Sequence, residues 1–381
     1  MVWPVLVLLP VAFIVSVILT MFLVRVGHGL GTLDSPGASG HAKAIRQVPN
    51  IGGIAIAWPL IGAMLGGLVL VFVAWDFLVS IVPSLEAYEA RLDDTTPTVL
   101  AFAIGVLVLH VMGFIDDRRS VGPWPKLLVQ VGVAAALSIW FDVRLLRMID
   151  EPLGIGSVPS VIITVVWIVI ITNAINFLDN MDGLAGGVGA IAGLFLMTAA
   201  LLNDQWFIAA TLAVLVGSIA GFLVFNMPPA KIFMGDSGSL VIGFALAVLV
   251  ARTTFYNPEE NGTGLGSGWY GLFMPVAILA VPLYDLVTVS VLRICQGRSP
   301  LVGDQQHYSH RLVSRGLSPR GAVLVIWCVA AVTGIAGVSL AHLAPWQAIL
   351  VGVQVVLILV MLGVLEHASR GATVGRRDEQ R

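Results

Sequence analysis

The stretch "VIITVVWIVIITNAINFLDNMDGLAGG", residues 161–187, opens as an uncharged apolar run and closes on amides and carboxylates. Taken from Val158 to Phe177 it reaches the roughly 20 residues a helix needs to cross a bilayer. Its polar members Asn173, Asn176, Asp179 and Asp182 then follow at steps of three. Unsatisfied polar groups are costly in lipid, so such residues mark the end of a span or a functional site. The run decides the fold class, and its polar end says where to look for chemistry.

The rest of the chain repeats this pattern. Its 381 residues are 58% hydrophobic and 11% charged, with mean hydropathy +0.96. Soluble domains average about 25% charged residues. Met1 to Val24, Ile51 to Trp75 and Trp206 to Asn226 are further runs without charge. Strands of a membrane β-barrel would alternate in polarity, and these do not. The expected fold is all-α, a polytopic integral membrane protein of about eleven spans by length. They are predicted to start near Pro4, Ile51, Thr98, Pro125, Val158, Gly186, Trp206, Gly238, Gly268, Gly321 and Trp346. Lacking a basic n-region and a small-residue cleavage site, the first run is expected to be a retained helix rather than a signal peptide. A single membrane domain over residues 1–381 is expected, ending in a cytoplasmic tail over 368–381.

Lysine and arginine set the orientation. With the N-terminus outside, the alternate loops expected inside hold 16 of the 20 basic residues, leaving Arg91, Arg144, Arg147 and Arg252 on the other side. That bias predicts a cytoplasmic C-terminus. Because the sign asymmetry lies across the membrane, the net charge of −2 says nothing about nucleic acid, and no nucleic-acid partner is expected. Cys295 and Cys328 are expected to form neither a disulfide nor a metal site. Lipid-facing and partner-facing apolar helices read alike, which leaves a homodimer open.

The outer segments are poor in chemistry. "DFLVSIVPSLEAYEARLDDTTP" reads as a solvated acidic loop, and "NPEENGTGLGSGW" as a Gly-rich connector. The inner side differs. Five clusters fall there: "LDSPGASGHAKAIRQVPNIGG", "GFIDDRRSVGPWPK", "NFLDNMDGLAGG", "FNMPPAKIFMGDSGS" and "RSPLVGDQQHYSHRL". A transporter would more naturally place polar groups at mid-membrane in broken helices. Its main candidate here is Asp285 in "VPLYDLVTVSVL", which serves equally as a structural residue. A membrane prenyltransferase is a second alternative, weakly suggested by "DNMDG", although "DDRRS" lacks a third acid.

Asp116 and Asp117 are adjacent acids at a helix end. They repel unless a cation or a proton intervenes, which suits Mg²⁺ or a proton-accepting base, or else a helix end balanced by Arg118 and Arg119. Hard oxygen ligands of low count suit Mg²⁺, which leans on substrate phosphates. Asp236 lies among small residues that admit a phosphate, at the start of a helix that favours anions; "DSGS" would equally cap that helix. Asn226 and Phe233 precede it, the latter able to stack on a base or to anchor in the interface. His307 and His310 lie one turn apart, with Arg311 beside them, and no third ligand has zinc-like spacing. A phosphate-binding cluster or a basic inner loop fits them. Lys126, four residues before Gln130, could face a phosphate or be an ordinary interfacial lysine. Acids for a metal, bases for phosphates and amides for a polar ligand together suit phosphoryl transfer from a soluble nucleotide to a lipid phosphate.

"VPNIGG", "GFIDD", "NAINFLDNMDGLAGG", "FNMPPAKIFMGDSGSL" and "HYSHRL", in this order over roughly residues 34–317, resemble the polyprenyl-phosphate N-acetylhexosamine-1-phosphate transferases. The resemblance implies transfer of a sugar-1-phosphate from a UDP-N-acetylhexosamine to undecaprenyl phosphate in the inner (plasma) membrane. UMP is released on the cytoplasmic face, Mg²⁺ (alternatively Mn²⁺) is required, and the product starts a cell-envelope polysaccharide. Asp236 resembles the metal ligand, and Asp116 and Asp117 the catalytic pair at the reacting phosphates, also able to ligate the metal. Asn176, Asp179 and Asp182 resemble the nucleoside- and sugar-facing loop, with Asn226 and Phe233 for the uracil. Lys43, Lys126, His307, His310 and Arg311 resemble the groups around the phosphates and sugar, the two histidines being assigned to catalysis. Ser309 stands where the family often has another histidine. "HYSHRL" after "GDQQ" is more similar to the GlcNAc-1-phosphate branch, the phospho-MurNAc-pentapeptide transferases being the alternative.

The opening spacing sets one further expectation. Each step of three residues falls about 60° short of a full helical turn, so Asn173 and Asp182 cannot share a face. The helix is expected to carry Asn173 and Asn176 and to fray near Asn180. Asp179 and Asp182 then belong to the loop.

Overall fold

The computed structural model describes residues 2–29, 48–253, 272–299, 307–340 and 343–378, apart from the side chains of residues 28, 91, 94 and 365–378. Among these residues regular structure is helical, save for an isolated parallel bridge between Asn50 and Phe233. The chain forms two compact units, Met1–Thr253 and Thr254–Arg381.

The first unit contains α1 (Val2–Gly29), α2 (Ile54–Ile81), α3 (Leu92–Asp116), α4 (Pro123–Trp140), the short α5 (Asp150–Leu153), α6 (Val158–Leu178), α7 (Leu184–Leu202), α8 (Trp206–Asn226) and α9 (Asp236–Arg252). The second contains α10 (Met274–Ile278), α11 (Ala280–Cys295), α12 (Tyr308–Val313), α13 (Pro319–Leu340) and α14 (Pro345–Asp378). Among the described residues, eight helices are long and apolar enough to cross a bilayer: α1, α2, α3, α6, α7, α8, α13 and α14. The protein is thus polytopic. The predicted starts fall in or beside helices, except Gly268, which lies outside the described residues.

One boundary differs from expectation. The acidic segment read as a solvated loop is helical: Pro83–Arg91 forms a 3₁₀ helix, and α3 begins at Leu92 rather than near Thr98. Pro83 presets a helical φ at its first position. Asp93 falls in the first turn of α3, where a carboxylate suits the positive end of the helix dipole.

The core of the first unit is α9. It is buried without interruption from Ser237 to Ala251, and it packs on α6, α3, α7 and α2. Around it, α8 packs on α1, α7 and α2. The crossing of α1 and α8 is close because α8 presents glycine there. A Cβ on Gly217 would lie 2.3 Å from the Leu9 carbonyl oxygen, and one on Gly221 2.5 Å from that of Phe13. Small residues of this kind let membrane helices approach. The Ser16 hydroxyl donates across the same crossing to Ser218 O at 2.6 Å. In the second unit α13 is the hub, contacting α10, α11, α12 and α14.

Candidate active site

The site in the first unit is assembled on the first turn of α9. Two motifs far apart in sequence lie side by side there. Phe233 N donates to Pro49 O at 2.8 Å, Gly52 N to Phe233 O at 2.9 Å, and Gly53 N to Met234 O at 3.0 Å. The "VPNIGG" segment is thereby fastened to the segment that leads into α9.

Asp117, just past the end of α3, caps α9 from outside. Its Oδ1 accepts the Asp236 amide at 2.9 Å and its Oδ2 the Ser237 amide at 3.2 Å. The first amides of a helix have no partner within it, and the residue before α9, Gly235, supplies no side chain. Gly235 has φ +69°, and a Cβ there would sit 2.4 Å from Asp117 Oδ2 and 2.6 Å from Asn50 Oδ1. Glycine both adopts this conformation and leaves room for the two oxygens. Burial pushes the Asp117 carboxyl up to about 7, and the negative charge of Asp236 adds to the rise. The two amides work against it.

Lys126 of α4 joins the other acids. Its Nζ donates to Asp116 Oδ2 at 3.0 Å and to Asp236 Oδ2 at 2.8 Å. Asp116 Oδ1 also accepts the Val121 amide at 2.8 Å. Asn176 Nδ2 donates to Asp236 Oδ1 and to Ser239 Oγ, both at 2.9 Å. The helix ends of α3, α4, α6 and α9 therefore share one polar cluster.

Asn173, Asn176 and Asp182 of the opening motif have separate partners. Asn173 Nδ2 donates to Gln130 Oε1 of α4 at 2.5 Å, whereas Asn176 reaches α9. The helix ends at Leu178, as expected, leaving Asp179 and Asp182 in the loop. Asn180 Nδ2 donates to Phe177 O at 2.7 Å, taking a carbonyl that a further turn would need. Asp179 follows, half-buried, as the residue closing α6. Asp182 Oδ2 accepts the Ala230 amide at 3.0 Å, tying the α6–α7 loop to the α8–α9 loop. Asn226 is buried and does the same: its Oδ1 accepts Gly183 N at 2.9 Å and its Nδ2 donates to Ile232 O at 2.8 Å. Both ends of its amide are engaged in holding loops together. Phe233 is half-buried beside the bridge to Asn50.

In the second unit, His307 precedes α12, and His310 and Arg311 lie within it. His307 Nδ1 is 2.8 Å from Asp285 Oδ2 of α11, and Arg311 Nη2 donates to Thr288 Oγ1 at 3.2 Å. Asp285 is thus a partner of the "HYSHRL" segment, not an isolated charge. Lys43 lies outside the described residues.

Among the described residues no three or more His, Cys, Asp or Glu side chains form a ready metal cage. Mg²⁺ asks for less: one or two carboxylates, with waters and substrate phosphates completing its shell. Asp117 and Asp236 are such a pair. Beside them Asn50 Oδ1 is buried with no hydrogen-bond partner, a hard oxygen in the recess that Gly235 keeps open. This donor set fits Mg²⁺. Asn50 and Ser239 were not singled out from the sequence, although both lie in motifs that were.

A model of glycosyl transferase family 4 matches residues 99–254. The chain is 30% identical to a probable undecaprenyl-phosphate N-acetylglucosaminyl 1-phosphate transferase of Bacillus subtilis, over 90% of this chain and 87% of the relative. It is 32% identical to decaprenyl-phosphate N-acetylglucosaminephosphotransferase of Mycolicibacterium smegmatis, over 86% and 81%. It is also 30% identical to a phospho-N-acetylmuramoyl-pentapeptide-transferase of Desulforudis audaxviator, over 88% and 98%. The matched segment runs from α3 through α9, the helices whose ends build the polar cluster, and similarity to whole relatives extends well beyond it: the chain belongs to glycosyl transferase family 4.

Proposed function

We propose that the protein transfers N-acetylglucosamine-1-phosphate from UDP-N-acetylglucosamine to undecaprenyl phosphate, releasing UMP. The observation that carries this reading is the meeting of Asp116, Asp117, Lys126, Asn176 and Asp236 at the first turn of α9. In the net reaction an oxygen of the lipid phosphate bonds to the sugar-bearing phosphorus of the donor. The bond from that phosphorus to UMP breaks, and UMP carries the electron pair away.

Phosphoryl transfer depends on positioning and on neutralising charge more than on covalent help from the protein. When bound, Mg²⁺ would supply that neutralisation. Asp236 and Asp117 would hold it, with Asn50 Oδ1 beside them. Lys126, now shared by Asp116 and Asp236, can turn its ammonium toward a phosphate oxygen. Asp116 would receive a proton from the lipid phosphate. Asn176 keeps the Asp236 carboxylate in one orientation, and the loops tied by Asp182 and Asn226 form the surface for the nucleoside and sugar. His307, His310 and Arg311 serve the phosphates and sugar, an assignment that rests on the motif "HYSHRL".

The topology that goes with this reading has about eleven spans by length, the N-terminus outside and the C-terminus in the cytoplasm. The polar cluster then opens to the cytoplasm, where UDP-sugars are found, and the protein resides in the inner (plasma) membrane as one transferase. The similarity to a phospho-N-acetylmuramoyl-pentapeptide-transferase over 98% of that relative supports a second reading, in which UDP-MurNAc-pentapeptide is the donor.

The test is UMP release by purified protein given undecaprenyl phosphate, Mg²⁺ and a panel of UDP-sugars. Release with UDP-GlcNAc alone is expected. Release only with UDP-MurNAc-pentapeptide would select the second reading, and release with no donor would remove both.

A further inference from the structure

We propose that Asp285 is the positioning residue of His307, setting which ring nitrogen carries hydrogen. This rests on the reading above, in which His307 serves the phosphoryl transfer. Asp285 lies in the apolar run of α11 and is 1% exposed, and His307 is 6% exposed. A carboxylate in such surroundings is costly unless its oxygens are satisfied. Here each has a partner from the same short segment. Oδ1 accepts the Tyr308 backbone amide at 2.7 Å, and Oδ2 lies 2.8 Å from His307 Nδ1. One carboxylate thus holds the chain entering α12 and the imidazole of the preceding residue.

The two contacts have different meanings. Anchoring α12 needs only the Tyr308 amide. The contact to Nδ1 acts on the ring itself. With Asp285 as acceptor, hydrogen is assigned to Nδ1, and in the neutral ring Nε2 then holds the lone pair. A buried carboxylate behind a histidine sets tautomer and orientation in just this way where histidine moves protons. The distance from Asp285 to His307 along the chain, 22 residues, hides the pairing from any local motif.

Asp285→Asn separates the roles. Its carbonyl oxygen can still accept the Tyr308 amide. Its amide nitrogen would face His307 Nδ1 and drive hydrogen to Nε2. The expected result is a shift of the His307 hydrogen from Nδ1 to Nε2, read by ¹⁵N NMR of histidine-labelled protein in detergent. With it should come a fall in kcat of about 100-fold, KM within about threefold, and a thermal midpoint near wild type. Asp285→Glu should recover part of kcat and keep hydrogen on Nδ1. An Asp285→Asn protein with unchanged tautomer and kcat overturns the proposal. So does one whose kcat and thermal midpoint fall together while the tautomer stays, which would make Asp285 an anchor only. Wild-type protein inactive with every donor would instead refute the transferase reading, independently of the NMR result.

Discussion

Asp117 and Asp236 are 119 residues apart in the chain, yet the carboxylate of one receives the backbone amide of the other at 2.9 Å. The acid at the end of α3 thereby fixes where α9 begins, and Asp236 is the first residue of α9. A backbone bond thus brings the two acidic residues together. Lys126 meets the charge of Asp236 from the other side.

Asp236→Asn keeps the shape of the side chain and removes its charge. We expect UMP release to fall by at least about 100-fold, with a thermal midpoint near that of the wild type. Discontinuous UMP assays and thermal unfolding in detergent would check this. An unimpaired variant would remove Asp236 from the metal site.

The carboxyl of Asp117 should make stability depend on pH. Burial and the charge of Asp236 raise its value from 3.8 to about 7. A folded value above the unfolded one means that folding favours the protonated form. Its contribution is complete below about pH 4 and is lost as pH rises through about 7. In chelator, the thermal midpoint of the wild type should therefore decline across that window, and Asp117→Asn should flatten the decline. Added Mg²⁺ favours the carboxylate, so its binding should release protons near neutral pH. Calorimetry in buffers of different ionisation enthalpy would detect them.

Gly113 of "GFIDD" lies against the start of α9. A Cβ there would be 2.4 Å from Ser237 N and 2.5 Å from Asp236 O. Both atoms are backbone, so the helices must separate. Gly113→Ala should cost about 1–3 kcal/mol of stability and reduce kcat more than KM. Unfolding midpoints alongside steady-state rates give the comparison.

Asn226→Ala should act on folding more than on nucleotide affinity. It leaves the Gly183 amide and the Ile232 carbonyl without their partners, at about 1–3 kcal/mol for each buried group. A large change in KM for the UDP-sugar with no loss of thermal stability would instead put the amide on the uracil.

What the sequence made legible follows from which forces act locally. The spans could be read because lipid demands long apolar runs. Asp116, Asp117 and Asp236 stood out because charge is rare in such a chain. Asp182 and Asn226 also stood out, yet composition could not tell a ligand contact from a bond between loops. Their partners, Ala230, Gly183 and Ile232, offer backbone groups that every residue has. Asp285 was visible as an unusual charge in an apolar run, but its partner lay 22 residues further along the chain. Asn50 was hidden for the opposite reason. One amide in "VPNIGG" carries no charge to attract notice, and only its approach to Asp117 gives it a meaning. The end of α6 was legible because amides and carboxylates follow the apolar run, whereas the bond from Asn180 to Phe177 O that competes with the helix was not.

The unbroken burial of α9 has a consequence for how this chain can vary. A helix bathed in lipid accepts one apolar residue for another, since fluid tails adapt to either. Along α9 neighbouring helices take the place of the tails, and a change of volume at Val241 or Phe244 would be passed along the helix toward Asp236. Among descendants of a common ancestor, this column should drift more slowly than the outward faces of α1 or α14, including at positions many ångströms from any substrate.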